Sequence, residues 1–547
     1  MGSKENKTLT TVISYLFVAA AAVVACVGTF GFLVLRPSSL FLYHQWGDGM
    51  QHYFGWVAFR NSSWQFPLGL FDGATYPDAT SIIFTDSLPL LACFFKLISG
   101  VLPHDFQYFG IWALGCYVLQ GTLALKILRR LSKDPVPSVL GALLFLFVPT
   151  VIIRQFAHEA LGGQWILLLA WDIFLDVWDS RPDGRLLAKT GLLGFLAAGT
   201  HIYFLPMCGM ILLGWVCMDA FQSRRLLRPL LTLFVYLFSA VLTVYIFGGF
   251  STVSDIVNEA FDFGNMANLN TLWNPLTYSK FFGGLPLTHQ GQDDGSAYLG
   301  LGFFVLFFVA LLLFLGRKDK KEWFREHAPL LAGLLVVFVL VFFFATYPFV
   351  SANDRILFHT KLPGIVDRLM SIFRCCGRAA WVLSYGVMLF VTGSVIRRME
   401  EMGWKKALPL LLFVCLALQV ADLSPLLRTK YEKCYPEDIV ISYFDGIPEV
   451  KERIEDGSVR HVVMDQSVDG IPALFVSCWG IDRGLSVNHF YLARPDDEAY
   501  ETRLEEALAA PAADTLYIFS LDAEKDFHAC GLSEIGRSDA YIVGVGQ

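Results

Sequence analysis

The chain has 547 residues, of which 55% are hydrophobic and only 17% are charged, and its mean hydropathy is +0.52. These values are typical of a protein that crosses a membrane many times, and they exclude an ordinary soluble enzyme. The formal net charge is −7, with 42 Lys and Arg against 49 Asp and Glu, so no nucleic-acid partner is expected.

The charge is distributed unevenly along the chain. Residues 431–547, here called the C-terminal tail, carry 9 Lys and Arg against 23 Asp and Glu, whereas the preceding residues carry 33 against 26. An acidic, water-soluble segment joined to a basic, apolar one predicts two domains. We expect a membrane domain at 1–425 and a small acidic α/β domain at 431–547.

Eleven apolar stretches come close to the roughly 20 residues that a membrane-spanning helix needs. They lie at 10–35, 107–127, 136–153, 164–178, 187–203, 204–221, 229–250, 299–316, 328–346, 379–396 and 406–422. If all eleven cross the membrane, the basic clusters between them fall on one side, and basic loops favour the cytoplasm. The sequence therefore predicts a mainly α, multi-pass plasma-membrane protein with a cytoplasmic N-terminus and an outer tail.

A long polar segment, residues 36–105, follows the first span and is called the first loop below. Its last part, Ser87–Pro103, is apolar, but a crossing there would move the basic residues Lys126–Lys133 to the outer side. We therefore expect a re-entrant or interfacial helix that packs under the first loop.

Polar residues gather in the loops of the predicted outer side. They are Asp48, His52, Arg60 and Asp86 in the first loop, Arg154, His158 and Glu159 after the third span, His201 between the fifth and sixth spans, Asp293 and Asp294 in the loop 251–298, and Arg374 and Arg378 in the loop 347–378. Polar groups at a membrane boundary are costly unless they serve a site or a water-filled cavity. Gly47 and Gly49 flank Asp48, so backbone or ligand can approach it closely. The loop 251–298 is expected to be mostly a solvated surface or lid.

The tail alternates short strand-like runs with helical patterns, which predicts a small α/β fold. The expected strands are Ile439–Tyr443, His461–Asp465 and Thr515–Phe519, and the expected helices are Glu449–Ile454 and Glu498–Leu508. Cys434, Cys478 and Cys530 lie in the tail, where one disulfide could form and one thiol would remain. The eleven cysteines show no zinc-ligand spacing.

Four stretches carry a resemblance to a known class of enzymes. They are Gly47–Trp56, Thr85–Leu90, Phe106–Gly110 and Phe373–Arg378. On these stretches the chain resembles the GT-C superfamily of integral-membrane glycosyltransferases, and more closely a bacterial family of that type without an assigned function. The resemblance covers about 1–425 and implies a catalytic acidic residue in the first loop, followed by interfacial helices on the outer face. A paired Asp-Asp or Glu-Asp, common in such loops, is replaced here by the single Asp48.

The resemblance and the residue chemistry together assign roles to the first loop. Asp48 is expected to act as the catalytic base, because transfer of a sugar to a hydroxyl requires a group that removes the acceptor proton. His52 belongs to the same predicted catalytic set. Asp86 is either a second carboxylate or a helix N-cap, because Ser87-Leu-Pro follows it and Asp is favoured at N-caps.

The basic residues are candidates for binding a phosphate leaving group. Arg374 and Arg378 are four residues apart and would share one face of a helix, where guanidinium groups can stabilise a phosphate; snorkelling to lipid headgroups is the alternative. Arg60 and Arg154 are weaker candidates for the same role.

The remaining polar residues are candidates for substrate or metal binding. His158, Glu159 and His201 are either hydrogen-bonded structural residues or, if they converge with Asp48, a site for Mg²⁺ or Mn²⁺. No motif requires a cofactor.

The sequence thus predicts an inverting glycosyltransferase of the bacterial inner membrane. It would move a sugar from a polyprenyl-phosphate donor to a cell-envelope glycan, lipid or protein on the outer face. Two alternatives stay open: a transporter or flippase of a lipid-linked saccharide, and a non-catalytic scaffold of envelope assembly. Transporters often carry repeated halves and polar residues at mid-membrane, and neither pattern is visible in the sequence.

Overall fold

The computed structural model describes residues 2–40, 43, 47–132, 134–178, 185–224, 226–251, 265–361, 363–364, 370, 372–434, 441–493 and 497–547. Helices dominate the part before the tail. They are α1 (Gly2–Phe30), α2 (Asp48–Asn61), α3 (Pro89–Leu97), α4 (Phe109–Leu128), α5 (Pro135–Leu144), α6 (Pro149–Arg154), α7 (Trp165–Trp178), α8 (Leu186–Thr200), α9 (Phe204–Ser223), α10 (Leu227–Ile246), α11 (Leu301–Leu315), α12 (Lys320–Glu326), α13 (Ala328–Thr346), α14 (Ala380–Glu401), α15 (Ala407–Asp422) and α16 (Ser424–Lys433). Two antiparallel hairpins lie between them, β1 (Leu70–Thr75) with β2 (Asp78–Ser81) and β3 (Phe349–Ala352) with β4 (Arg355–His359).

The helical part contains several candidate membrane spans, so the chain is a multi-pass membrane protein. Among the described residues, seven segments are long and apolar enough to cross a membrane, and nine are if the bent pairs α11–α12 and α15–α16 each count as one. Every one of the eleven predicted spans contains a described helix. However, α7 and α8 have only 14 and 15 described residues, so the count of eleven stays a prediction.

The apolar segment Ser87–Pro103 does not form a crossing helix. Its only α-helix, α3, has 9 residues and extends about 14 Å, which is half of a ~30 Å hydrocarbon core. Arg60, at the end of α2, donates hydrogen bonds of 2.8–3.1 Å to four backbone carbonyls that follow α3, in residues 99–104. These bonds tie the segment that follows α3 to the end of α2, and the re-entrant or interfacial placement of α3 stays a prediction.

Small residues allow the helices of the bundle to pack closely. A Cβ placed on Gly194 of α8 would lie 2.5 Å from the Tyr236 carbonyl oxygen of α10, and one on Gly214 of α9 would lie 2.6 Å from the Gly333 carbonyl oxygen of α13. Close backbone contact at glycine is a usual means of association between helices in membranes. The two helix pairs thus require glycine at these crossings.

The tail contains a mixed five-stranded sheet flanked by helices. Its elements are α17 (Pro448–Glu455), β5 (His461–Met464), α18 (Gly470–Asp482), β6 (Ser486–Val487), α19 (Asp497–Ala509), β7 (Thr515–Ser520), α20 (Glu524–Ala529), β8 (Ser533–Arg537) and β9 (Tyr541–Val545). The strand order is β6-β5-β7-β9-β8, with β5 parallel to β6 and β7, and β9 antiparallel to its two neighbours.

Most of the predicted tail elements coincide with described ones. β5 and β7 match two predicted strands, and α17 and α19 match the two predicted helices. The predicted strand Ile439–Tyr443 is wrong where it is described, since residues 441–443 are not in a strand; residues 439–440 lie outside the described part. All eleven cysteines are free thiols, so the described tail contains no disulfide.

The tail and the first loop share one hydrophobic core. Tyr53 and Trp56 of α2 belong to the same buried cluster as Trp479 and Ile481 of α18. Burial of large aromatic side chains dominates the energy of such contacts. The tail therefore lies at the end of the bundle where α2 begins.

Candidate active site

Four separate segments bring carboxylates and imidazoles together at this end of the bundle. The group, here called the acid–imidazole cluster, consists of Asp48 and His52 of α2, Asp86 between β2 and α3, His158 and Glu159 between α6 and α7, and His201 between α8 and α9. All six are residues that the sequence singles out. The fold thus joins positions that are up to 153 residues apart in the chain.

Asp48 is placed at the start of α2 by the glycine before it. Gly47 has φ +129°, a backbone conformation that residues with side chains rarely adopt. Asp48 is then the first residue of the helix, where the helix dipole favours a carboxylate. Its Oδ2 lies 3.3 Å from His158 Nδ1, and about a third of its side chain is exposed, at 34%. The result is an ordered carboxylate that a substrate could still reach.

His52 lies about one turn further along α2 and is completely buried. Its Nδ1 contacts the buried carboxylate of Glu159. Its Nε2 has no hydrogen-bond partner in the described part of the chain and lies 3.8 Å from Asp86 Oδ2. An imidazole whose Nδ1–H is taken by a carboxylate presents Nε2 to a proton or a metal ion.

Asp86 is held in an uncommon backbone conformation by its neighbours. Asp86 and Leu88 both have left-handed φ values, of 57° and 56°, which cost roughly 1–3 kcal/mol each for non-glycine residues. His201 Nε2 lies 3.0 Å from Asp86 Oδ1, and His201 Nδ1 accepts a hydrogen bond from the Tyr203 amide, so Nε2–H is the donor to Asp86. The N-cap alternative for Asp86 is wrong, because the N-cap of α3 is Leu88.

The two aspartates have shifted pKa values of opposite sign. Burial raises the pKa of Asp48, although His52 acts against this effect. Burial would also raise the pKa of Asp86, but the electrostatic interaction and hydrogen bond with His201, together with His52, hold it well below its usual range. Asp86 is thus a fixed negative charge, whereas Asp48 can accept a proton more readily.

The two central histidines also differ. Burial would lower the pKa of His52, but the carboxylates of Glu159, Asp86 and Asp48 raise it to about 9. Burial lowers the pKa of His158 well below its usual value, and nearby arginines reinforce this. At neutral pH His158 is therefore a neutral imidazole with a lone pair to donate.

A buried ion-pair group adjoins the acid–imidazole cluster. Asp294 Oδ1 lies 2.6 Å from Arg154 Nη2, and its Oδ2 lies 2.7 Å from Arg378 Nε. The Arg378 guanidinium also lies 4.9 Å from the ring centre of Tyr203. Burial would raise the pKa of Asp294, but the two arginines hold it far below its usual range. Two guanidinium groups against one carboxylate leave a net positive charge beside the cluster.

Arg60 and Arg374, two of the predicted phosphate-binding residues, form hydrogen bonds with backbone carbonyls instead. Arg60 is twelve residues from Asp48 on α2, about 18 Å along the helix, and donates to backbone carbonyls. Arg374 donates to the Ala493 carbonyl of the tail over 2.9 Å. The predicted helical face shared by Arg374 and Arg378 is wrong, because a 3-10 turn begins only at Cys376 and α14 only at Ala380.

A segment of the tail, residues 487–493, lies across the first loop and is called the tail strap. Three hydrogen bonds of 2.8 Å join it to the first loop: Tyr76 N donates to Val487 O, Gln51 Nε2 to Tyr491 O, and Ala493 N to Phe84 O. In addition, Arg374 donates to the Ala493 carbonyl. Neighbouring charges on Asp48, Arg374 and Asp86 influence the phenol of Tyr491, whose pKa is raised chiefly by burial. The tail strap therefore borders the cluster, a contact that the sequence does not predict.

The cluster suits a divalent metal ion. Ligand atoms of His52, Asp86 and His158 all lie within 4.8 Å of one another. The buried Nε2 of His52 lacks a partner among the described residues, and Glu159 orients the ring as an outer-shell carboxylate does. Two imidazoles with carboxylates favour Mn²⁺ or another transition metal over Mg²⁺, which prefers oxygen ligands.

The fold and this site define a multi-pass membrane protein with a carboxylate–imidazole site at one end of its helices. The family described as "Domain of unknown function (DUF6311)" matches residues 18–424, so the chain belongs to that family. A search of curated proteins found no match.

Solved structures give weak likenesses. One is the archaeal oligosaccharyltransferase AglB from Archaeoglobus fulgidus in complex with an inhibitory peptide and a dolichol-phosphate, at 12% identity over 94% of this chain and 70% of that chain, with a TM-score of 0.45. Another is ArnT from Cupriavidus metallidurans bound to undecaprenyl phosphate, at 11% identity over 97% of both chains, with a TM-score of 0.45. Values this low do not establish a shared fold.

Proposed function

We propose that this protein is a GT-C-type glycosyltransferase that moves a sugar from a polyprenyl-phosphate donor to a hydroxyl of a cell-envelope acceptor. The observation that carries the proposal is the convergence of Asp48, Asp86 and three histidines beside a buried, net-positive arginine pair. A carboxylate base and a cationic phosphate site are the two groups that such a transfer requires. The transfer is proposed to occur on the outer face of the membrane.

Asp48 is the proposed base. As the acceptor oxygen attacks the anomeric carbon and the bond to the phosphate oxygen breaks, the acceptor proton passes to Asp48 and the configuration inverts. The raised pKa of Asp48 supports this role, because a general base works best when its pKa lies closer to the operating pH. Without a bound metal, Asp86, kept ionised by His201, supplies a fixed negative charge near an oxocarbenium-like transition state, and with metal bound its carboxylate is a ligand.

Arg154 and Arg378 are the proposed phosphate-side groups. Asp294 holds both guanidinium groups in place and compensates one of their two charges. The remaining positive charge can stabilise the negative charge that develops on the departing phosphate. Arg374 is tied to the tail strap and has the weaker claim to this role.

His52, Asp86 and His158 would hold a divalent cation, with Asp48 close to the same position. When bound, such an ion would supply positive charge to the leaving phosphate. Glu159 would fix the ring of His52 in the orientation that presents Nε2. We propose Mn²⁺ as the first ion to test, because of the two imidazole ligands.

The transporter and scaffold alternatives receive less support. The described charged residues of the cluster lie at helix ends, whereas transporters commonly bind substrate between broken helices at mid-membrane. A scaffold has no need for two carboxylates with opposite pKa shifts in one cluster.

Asp48→Asn tests the enzyme proposal. The amide keeps the shape of the side chain but cannot accept a proton, so turnover should fall by about 10²–10⁴-fold. The matched control is Asp72→Asn, an exposed first-loop aspartate on β1 outside the cluster. Purified protein would be assayed with a panel of undecaprenyl-phosphate sugars, after mass spectrometry of the co-purified lipid has narrowed the panel. Full turnover in Asp48→Asn would refute the assignment of the base.

A further inference from the structure

An apolar cavity of about 580 Å³ lies away from the acid–imidazole cluster. Its walls come from α4, α7, α11, α13 and α14, and α12 lies at one end. Along α14 the lining runs from Leu383 to Glu401, and Arg398 is twenty residues beyond Arg378, or about 30 Å of helix. That distance matches the hydrocarbon core, so the mouth of the cavity lies at the membrane surface opposite the cluster.

The helix α12 marks this surface. It follows α11 with a bend of 112°. Its aromatic pair, Trp323 and Phe324, is flanked on both sides by basic and acidic residues. Trp323 lines the cavity and stacks on His327 at 4.4 Å between ring centres. Aromatic and basic residues on a short helix that turns away from a span are typical of a membrane–water interface.

The mouth of the cavity is positively charged. Among the charged residues that line the cavity, Arg317, Arg397 and Arg398 outnumber Glu326 and Glu401. Arg397 and Arg398 both line the cavity and share a single carboxylate, Glu401, at 3.2 and 3.1 Å. The Nε of Arg398 is buried and has no hydrogen-bond partner in the described part of the chain.

We propose that this cavity binds an anionic phospholipid. Its acyl chain would lie against the apolar walls, which gain packing contacts when the cavity is filled. Its phosphate would lie at Arg397 and Arg398. A phosphate can balance the positive charge that Glu401 leaves uncompensated on the two arginines. The site is distinct from the proposed donor site because the two lie at opposite membrane surfaces.

Native mass spectrometry of the delipidated full-length protein, titrated with phosphatidylglycerol, tests the proposal. The wild type should retain one phosphatidylglycerol, with phosphatidylcholine bound at least tenfold more weakly. The double variant Arg397→Gln/Arg398→Gln should bind phosphatidylglycerol about 10- to 100-fold more weakly, since each charge-assisted hydrogen bond is lost. The matched control is Lys405→Gln/Lys406→Gln, two exposed cations near the end of α14 that do not line the cavity.

A second pair of variants tests the apolar part. Ala310 of α11 lines the cavity, whereas Leu312 of the same helix is 68% exposed and does not. Ala310→Trp should fill the cavity and remove the tightly bound lipid, and Leu312→Trp should not. Equal affinities in the arginine variant and its lysine control would overturn the proposal. So would equal binding of phosphatidylcholine, or a co-purified lipid that is a polyprenyl phosphate held at this cavity.

Discussion

Two residues of the same type, Asp48 and Asp86, have opposite environments within one site. Asp48 starts a helix, is partly exposed and has a raised pKa, whereas Asp86 is held ionised by His201. Pairs of carboxylates whose environments separate their pKa values commonly divide base and electrostatic roles between them. This difference is the reason for assigning proton transfer to Asp48 and a fixed charge to Asp86.

At the same scale, Glu159 should determine how well the cluster binds metal. Glu159→Gln keeps a hydrogen-bonding group beside His52 Nδ1 but removes the charge that orients and activates the ring. Loss of an outer-shell partner typically lowers metal affinity 10- to 100-fold. We expect a decrease of that size in Mn²⁺ affinity, measured by titration of purified protein with Mn²⁺ and detection of the free ion by electron paramagnetic resonance.

The control for this variant is Glu432→Gln, which removes an exposed carboxylate of α16. It should leave the Mn²⁺ affinity unchanged. If Glu159→Gln binds Mn²⁺ as tightly as the wild type, then Glu159 has no positioning role. If the wild type binds no Mn²⁺ or other divalent ion, His52 and Glu159 form only a buried ion pair.

At the scale of elements, the tail strap connects three parts of the molecule. Its carbonyl groups accept hydrogen bonds from the side chains of Gln51 in α2 and Arg374 in the segment before α14. Its backbone also forms hydrogen bonds with the backbone of the first loop. α18 also packs against α2, and both helices contribute to one buried apolar cluster. The tail is therefore part of the structure that holds the start of α2 in place.

The double variant Gln51→Ala/Arg374→Ala should loosen the tail strap. A neutral hydrogen bond contributes about 0.5–1.5 kcal/mol and one from a charged group about 1.5–3 kcal/mol. Hydrogen–deuterium exchange should accordingly become faster in residues 487–493 and in the first turn of α2. The control Arg355→Ala removes an exposed arginine of β4 that has no described contact with the tail. Unchanged exchange in the double variant would show that these two side-chain hydrogen bonds do not hold the tail strap in place.

Local sequence patterns predict most helices and strands, whereas long-range contacts determine which residues meet in the candidate site. The apolar stretches predict the helices of the bundle, because hydrophobic periodicity acts over a few residues, whereas the helix α2 within the first loop is not predicted. By contrast, Asp294 pairs with Arg378 across 84 residues, and Gln51 meets Tyr491 across 440. No periodicity encodes such partners, which explains why the expectation of a mostly solvated acidic loop missed the pairing of Asp294 with two arginines; residues 252–264 of that loop lie outside the described part.

At the scale of the whole molecule, the number of spans fixes which surfaces the termini face. Seven, nine or eleven crossings would each place the N-terminus and the tail on opposite sides, whereas eight would place them on the same side. The hydrogen bonds of the tail strap put Asp48 on the side of the tail. Along α14 the basic segments 317–327 and 397–406 lie at the opposite end from the cluster, and their location in the cytoplasm stays a prediction from the distribution of positive charge.

Reporter fusions should reveal this arrangement directly. Alkaline phosphatase, which is active only outside the cytoplasm, should be active when fused after Gln547 and inactive when fused after Asp134 or Lys320. Green fluorescent protein should give the reverse pattern. Asp134 lies between α4 and α5, at the far end of α4 from the first loop, so it tests the bundle independently of the tail. A fluorescent fusion at Gln547 together with active phosphatase at Asp134 would reverse the orientation. The acid–imidazole cluster would then face the cytoplasm, and a donor presented at the outer surface could not reach Asp48.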